Sequence, residues 1–86
     1  MPIPHNIKRE HIFQAILKIK KDGIPPRRGI REWGLEYEDE TYPCKLLISW
    51  ANIYANGEEL DSDATNFQTY MAQDHLKSLG FTIITV

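Results

Sequence analysis

Residues 41–57 read "TYPCKLLISWANIYANG", and the fold depends on whether they form a strand, a helix or one leading into the other. Pro43 cannot sit inside a helix, but its missing N–H costs nothing in the first turn, so it marks a start. Asn56-Gly57 supplies a left-handed stop. Between them, Leu46, Leu47, Trp50, Ile53 and Tyr54 cover one broad side of a helix, and Cys44, Ile48, Ala51 and Ala55 add a second apolar row. An apolar surface that wide predicts a central helix packed on most sides.

Upstream, "LEYEDETYP" (35–43) alternates apolar and acidic residues, turns through Glu38-Asp39-Glu40 and returns through Thr41 and Tyr42. Period-two alternation around a polar turn predicts a hairpin. Before it, "IPPRRGIREWG" (24–34) reads as a loop: Pro25-Pro26 stiffens the backbone, and Gly29 and Gly34 permit turns. Residues 6–22 place Ile12, Phe13, Ile16, Leu17 and Ile19 at helical spacing, with Asn6 as N-cap, Gly23 as the stop and Ile24 available to pack back.

Downstream, "GEELDSDATN" (57–66) is a polar connector. A third helix is predicted from near Asn66 to Gly80, with Phe67, Tyr70, Met71, Leu76 and Leu79 as its core contacts. The β-branched segment "FTIITV" (81–86) reads as a strand that joins the hairpin. The prediction is a single α+β domain over residues 1–86, with three helices on a small antiparallel sheet in the order α-β-β-α-α-β.

The chain has 86 residues, 42% hydrophobic and 26% charged, a composition that belongs to an ordinary globular domain. No stretch is long and apolar enough to span a membrane, no signal-peptide core stands at the N-terminus, and the single Cys44 forms no internal disulfide. These features predict a cytoplasmic protein with no membrane partner. The net charge of −2 hides an asymmetry: residues 8–31 hold eight Lys and Arg against two acids, and residues 32–86 hold two against ten. A chain polarised in this way can present a basic face to a polyanion.

The residue patterns argue against most chemistry. His5, His11 and His75 are scattered, with no metal-ligand spacing, and the glycines match no nucleotide-phosphate fingerprint. Cys44 reads as a small core residue in preference to a thiol activated by Lys45. The run "EYEDE" reads as a solvated turn in preference to a pair of catalytic acids. The expectation is a binding module with no catalytic residues, metal or cofactor.

Two readings of the arginines stand side by side. Arg27, Arg28 and Arg31 either contact phosphates or pair with the acids of "EYEDE". Trp33 offers a stacking face, although core packing is the favoured reading. Lys45 at a helix start either joins free backbone N–H groups in holding an anion or snorkels along the helix to water.

The succession "REHIFQAI", "TYPCKLLISWANIYANGEEL" and "HLKSLGFTIITV" resembles the small N-terminal head domain of ScoMcrA-like modification-dependent (type IV) restriction endonucleases, also found beside HNH nuclease modules. The resemblance runs through nearly the whole chain. It rests on Arg9, the Tyr-x-x-Lys pair Tyr42 and Lys45, Ser49 and Ala51, Phe67, and the closing Leu79-Gly80-Phe81. The chain departs from that pattern at Gln68 and Thr69, where relatives often carry a Gly-Gly pair. The resemblance implies a non-catalytic DNA-recognition or DNA-positioning module of a restriction and defence system, acting on DNA, including modified duplex, beside a nuclease or reader domain.

The expected DNA-binding residues are Lys20, Lys21, Arg27, Arg28, Arg31 and Lys45 for charge, with Tyr42 and Trp33 for shape or stacking. The rival expectation is a protein-protein or intramolecular docking domain of such a system, using "EYEDE" and the basic loop as two charged faces.

Overall fold

The computed structural model describes residues 3–24, 33–60 and 69–85. Its elements are α1 (Arg9–Asp22), β1 (Trp33–Tyr37), β2 (Glu40–Pro43), α2 (Cys44–Asn56), α3 (Thr69–Ser78) and β3 (Thr82–Thr85). This is the predicted α-β-β-α-α-β order. The strands form one antiparallel sheet in the order β2-β1-β3. The chain's last described strand therefore lies beside the first, so that β1 is central.

The helix α2 is the centre of the fold for the reason its sequence suggests. Leu46, Leu47, Ile48, Ser49, Trp50, Ala51 and Asn52 are all buried along two consecutive turns. Each fully buried Leu or Ile side chain contributes roughly 1.5–3 kcal/mol of transfer free energy. Around α2 stand Ile12, Ala15, Ile16 and Ile19 of α1, Leu35 of β1, and Ala72 and Leu76 of α3. Pro43 takes the N-cap position at φ −71° while ending β2, and Gly57 closes the helix in the left-handed region at φ 90°. No linker separates β2 from α2, so the start of α2 is fixed at the edge of the sheet.

Several local expectations change. The N-cap of α1 is Lys8, not Asn6: the His11 ring reaches back so that its Nδ1 accepts the Lys8 N–H at 2.9 Å, as the third helical residue does in a capping box. Asn6 joins an amide chain instead, donating to Asn56 at 2.6 Å and accepting from it at 3.0 Å, while Asn56 also donates to Asn52. A long-range partner has displaced a local one.

Leu17, Tyr54 and Tyr70, which the apolar spacing assigns to the core, are exposed, and so is Ile24, expected to pack back after the Gly23 stop. The apolar stripe of α1 is narrower than its sequence, because small Ala15 occupies the buried face. The hairpin turn is two residues, Glu38 and Asp39, both at positive φ (50° and 66°), where the sequence suggests three. This is the backbone of a type I′ turn, whose twist matches the strands and which usually takes Asn or Gly. Trp33 and Gly34 lie in β1 and not in the preceding loop. Asn66 and Phe67 lie outside the described residues, and α3 is described from Thr69.

Candidate nucleic-acid interface

Chain direction sorts the charged residues into two ends. Asn6, just before α1, bonds Asn56 at the close of α2, and Lys18 near the far end of α1 lies 4.9 Å over the ring of Trp50, in the middle of α2. The two helices therefore run in opposite senses. In the sheet, Gly34 faces Pro43 and Trp33 faces Thr85, while Glu36 faces Thr82. Phe13 of α1 touches Tyr37 and Phe81, at 5.2 Å and 5.5 Å between ring centroids, so the first half of α1 lies by the hairpin tip. Over its 14 residues α1 advances about 21 Å, most of the way across a molecule whose extents are 29 × 27 × 25 Å.

One end therefore holds the last turn of α1, the first residues of β1 and the start of α2. Lys20 and Lys21 are exposed there and pair with no carboxylate among the described residues. Their position at a helix C-terminus is electrostatically favourable in itself. Trp33 is 40% exposed, so the favoured core reading does not hold: the ring begins a strand at the rim of the molecule. Lys45 is half-buried in the first turn of α2 and already has an interaction partner. Arg27, Arg28 and Arg31 lie outside the described residues. In sequence they stand between Ile24 and Trp33.

Tyr42 is a correction. Its ring is 3% exposed and its hydroxyl donates to Glu40 at 2.8 Å. Burial, reinforced by the carboxylate of Glu40, pushes its pKa up to about 12. A phenol enclosed in this way presents no face to a base; it packs the sheet onto α2. Cys44 beside it is also buried, and burial pushes the thiol up to about 11, the opposite of what a nucleophile requires.

The other end holds Glu38, Asp39 and Glu40 at the hairpin tip and a cation that sequence periodicity does not single out. Arg9 donates from Nη1 to the Leu79 carbonyl at 2.6 Å, and its guanidinium lies 4.6 Å from the Phe81 ring centroid and 5.3 Å from that of Phe13. It clamps the turn between α3 and β3. That turn needs Gly80, at φ +92°, where an added Cβ would stand 3.0 Å from Arg9 Nη1. An open depression of about 710 Å³ nearby is lined by His5, Lys8, Arg9, His75, Ser78 and Leu79, among others. Several of its polar groups serve the fold itself. His75 Nε2–H donates to the Ile7 carbonyl at 2.8 Å, and Ser78 donates to the His75 carbonyl at 2.6 Å.

Lys18 is likewise engaged, with Asp22 at 3.1 Å and with the face of Trp50. Among the described residues no three His, Cys, Asp or Glu side chains converge to hold a metal. No described helix is long and apolar enough to cross a membrane. No protein-family model, curated protein or solved structure matches the chain.

Proposed function

We propose that this domain is a non-catalytic DNA-binding or DNA-positioning module that holds phosphates at its basic end. The observation that carries the reading is the separation of two exposed, unpaired lysines from the acids of the hairpin. Lys20 and Lys21 are exposed and unpaired among the described residues at one end, and the hairpin acids stand at the other. The Arg-bearing segment 25–32 connects in sequence to that basic end on both sides, through Ile24 and Trp33.

Arginines contact phosphate oxygens bidentately, and the exposed indole of Trp33, which follows them in sequence, offers a stacking surface for an unpaired base. Lys45, half-buried and already engaged, contributes less. The resemblance to restriction-endonuclease head domains supports placing the module in a restriction or defence system, beside a nuclease or modified-base reader.

Neutralising about four phosphates gives a log affinity that falls with log salt at a slope of about −3.6. Fluorescence anisotropy with duplex and single-stranded DNA at low salt tests this. Charge reversal at Arg27 and Arg28 is expected to abolish retention while leaving the circular dichroism melt unchanged. Absence of binding to either form of DNA would remove the proposal. Unchanged DNA binding together with lost capture of a nuclease or reader domain would favour the docking role.

A further inference from the structure

Asn6, Asn52 and Asn66 are each followed by Ile or Phe, and Asn56 alone is followed by glycine. A side-chain amide before glycine is the least hindered towards attack by the next backbone nitrogen, because no Cβ stands in the way. Asn56 is exposed, and a Cβ built at Gly57 would meet nothing within 4 Å, so the surroundings leave the approach open. Two restraints oppose it. The Gly57 N–H donates to the Ile53 carbonyl at 2.9 Å, which closes α2. The Asn56 amide is tied on two sides, donating to Asn52 at 2.6 Å and exchanging a pair of hydrogen bonds with Asn6. Asn52 is 4% exposed and its own amide nitrogen donates to the Glu58 carbonyl, so its Oδ1 is fixed towards Asn56 and requires a donor there.

We propose that Asn56-Gly57 is a deamidation site gated by fraying of the last turn of α2, and that its conversion loosens the segment before α1. Helix ends open locally at far lower cost than the whole domain. When this turn opens, the freed Gly57 nitrogen gives its proton to solvent and attacks Asn56 Cγ. The new C–N bond closes a cyclic imide, and the side-chain nitrogen leaves with a proton as ammonia. Water then opens the imide at either carbonyl, leaving aspartate or isoaspartate at position 56; each ammonia released consumes one water. Either product carries a carboxylate in place of the amide and has no hydrogen to donate. Asn6 keeps only the bond that it donates, and Asn52 cannot turn without giving up the Glu58 carbonyl. The added negative charge stands at a helix C-terminus, just before Glu58 and Glu59, where the helix dipole disfavours it. The tie between α2 and the segment that brings Ile3 and Ile7 into the core is thereby weakened. The inference is independent of the DNA reading, because Lys20 and Lys21 stand at the far end of α1.

Incubation of the folded protein at mildly alkaline pH, with ammonia release and peptide mapping as readouts, tests this against the urea-unfolded chain. Aspartate and isoaspartate are expected to accumulate at position 56, more slowly in the folded protein than in the unfolded one. Asp22-Gly23 serves as an internal control, since an aspartate isomerises without releasing ammonia. Asn6→Ala, at an exposed position, frees one side of the Asn56 amide and should speed conversion about fivefold. Asn56→Asp, which mimics one product, should lower the melting temperature and speed hydrogen exchange at Ile7 and Ile12, whose amides bond within the entry to α1. A folded protein still unconverted at position 56 after the unfolded chain has reacted fully overturns the proposal, as do equal rates in the two states. An Asn56→Asp protein with wild-type exchange at Ile7 and Ile12 overturns the loosening. The rate comparison needs no variant, so the site is decided even where a substitution unfolds the domain.

Discussion

Arg9 at one end of the molecule and Lys20 and Lys21 at the other are used in opposite ways. At the hairpin end, Arg9 is held by a carbonyl and two aromatic rings, and the surrounding His75 and Ser78 are bonded to backbone carbonyls. At the other end, Lys20 and Lys21 project into solvent with no partner among the described residues. A cation satisfied by its own protein contributes to stability and has little left to offer a ligand. One that is unsatisfied contributes little to stability and keeps its field for a partner. The difference teaches that net charge by sequence half is a poor guide here, because Lys8 and Arg9 belong to the basic half by sequence yet stand at the hairpin end, and Lys18 is held by Asp22 and Trp50.

Substitutions test the contrast directly. The largest effect is expected for Arg9→Ala, which removes a charge-assisted hydrogen bond and two cation–π interactions. It should cost about 2 kcal/mol in urea denaturation and leave DNA affinity within twofold. Gly80→Ala should cost about 1–2 kcal/mol, because the residue sits at φ +92° and the new methyl presses on the anchored guanidinium. If that variant melts like the wild type, the clamp is not rigid.

Alkaline titration comes next. Burial raises the Cys44 thiol from 9.0 to about 11, so the folded state prefers the neutral form. The stability this confers is complete below pH 9 and is lost as pH rises through 11. Tyr42, raised from 10.0 to about 12, extends the loss upwards. The melting temperature of Cys44→Ala should accordingly decline later than that of the wild type. The smallest expected stability effect, within about 0.5 kcal/mol, belongs to Lys20→Ala and Lys21→Ala. The same pair should reduce DNA affinity and make the salt slope shallower by roughly 0.9 for each phosphate that is no longer neutralised. A large drop in stability there, with affinity intact, would reverse the comparison between the ends.

Much of the fold is legible in local pattern. The apolar width of α2, the positive-φ glycines at positions 23, 57 and 80, and the β-branched final strand announce helices and strands where they occur. The candidate site is less so. Tyr42 and Lys45 share a short motif, and sequence alone treats both as surface; the tight passage from β2 into α2 turns the tyrosine inward. Trp33 is large and apolar, which favours the core, but strand alternation places it at the rim of the helix-covered face, beyond Leu35. Arg9 carries no periodicity signal, because its partners are Leu79 and Phe81, about seventy residues away in the chain.

Element type, order and most boundaries follow from short-range physics: backbone dihedral preference, hydrogen-bond loss at proline and the spacing of apolar side chains. These act within a few residues and can be read along the chain. Which cation is clamped, and which stays without a partner among the described residues, depends on contacts between residues tens of positions apart. Such contacts exist only once α1, α2 and the sheet have packed, because packing alone sets which polar groups find partners and which stay in water.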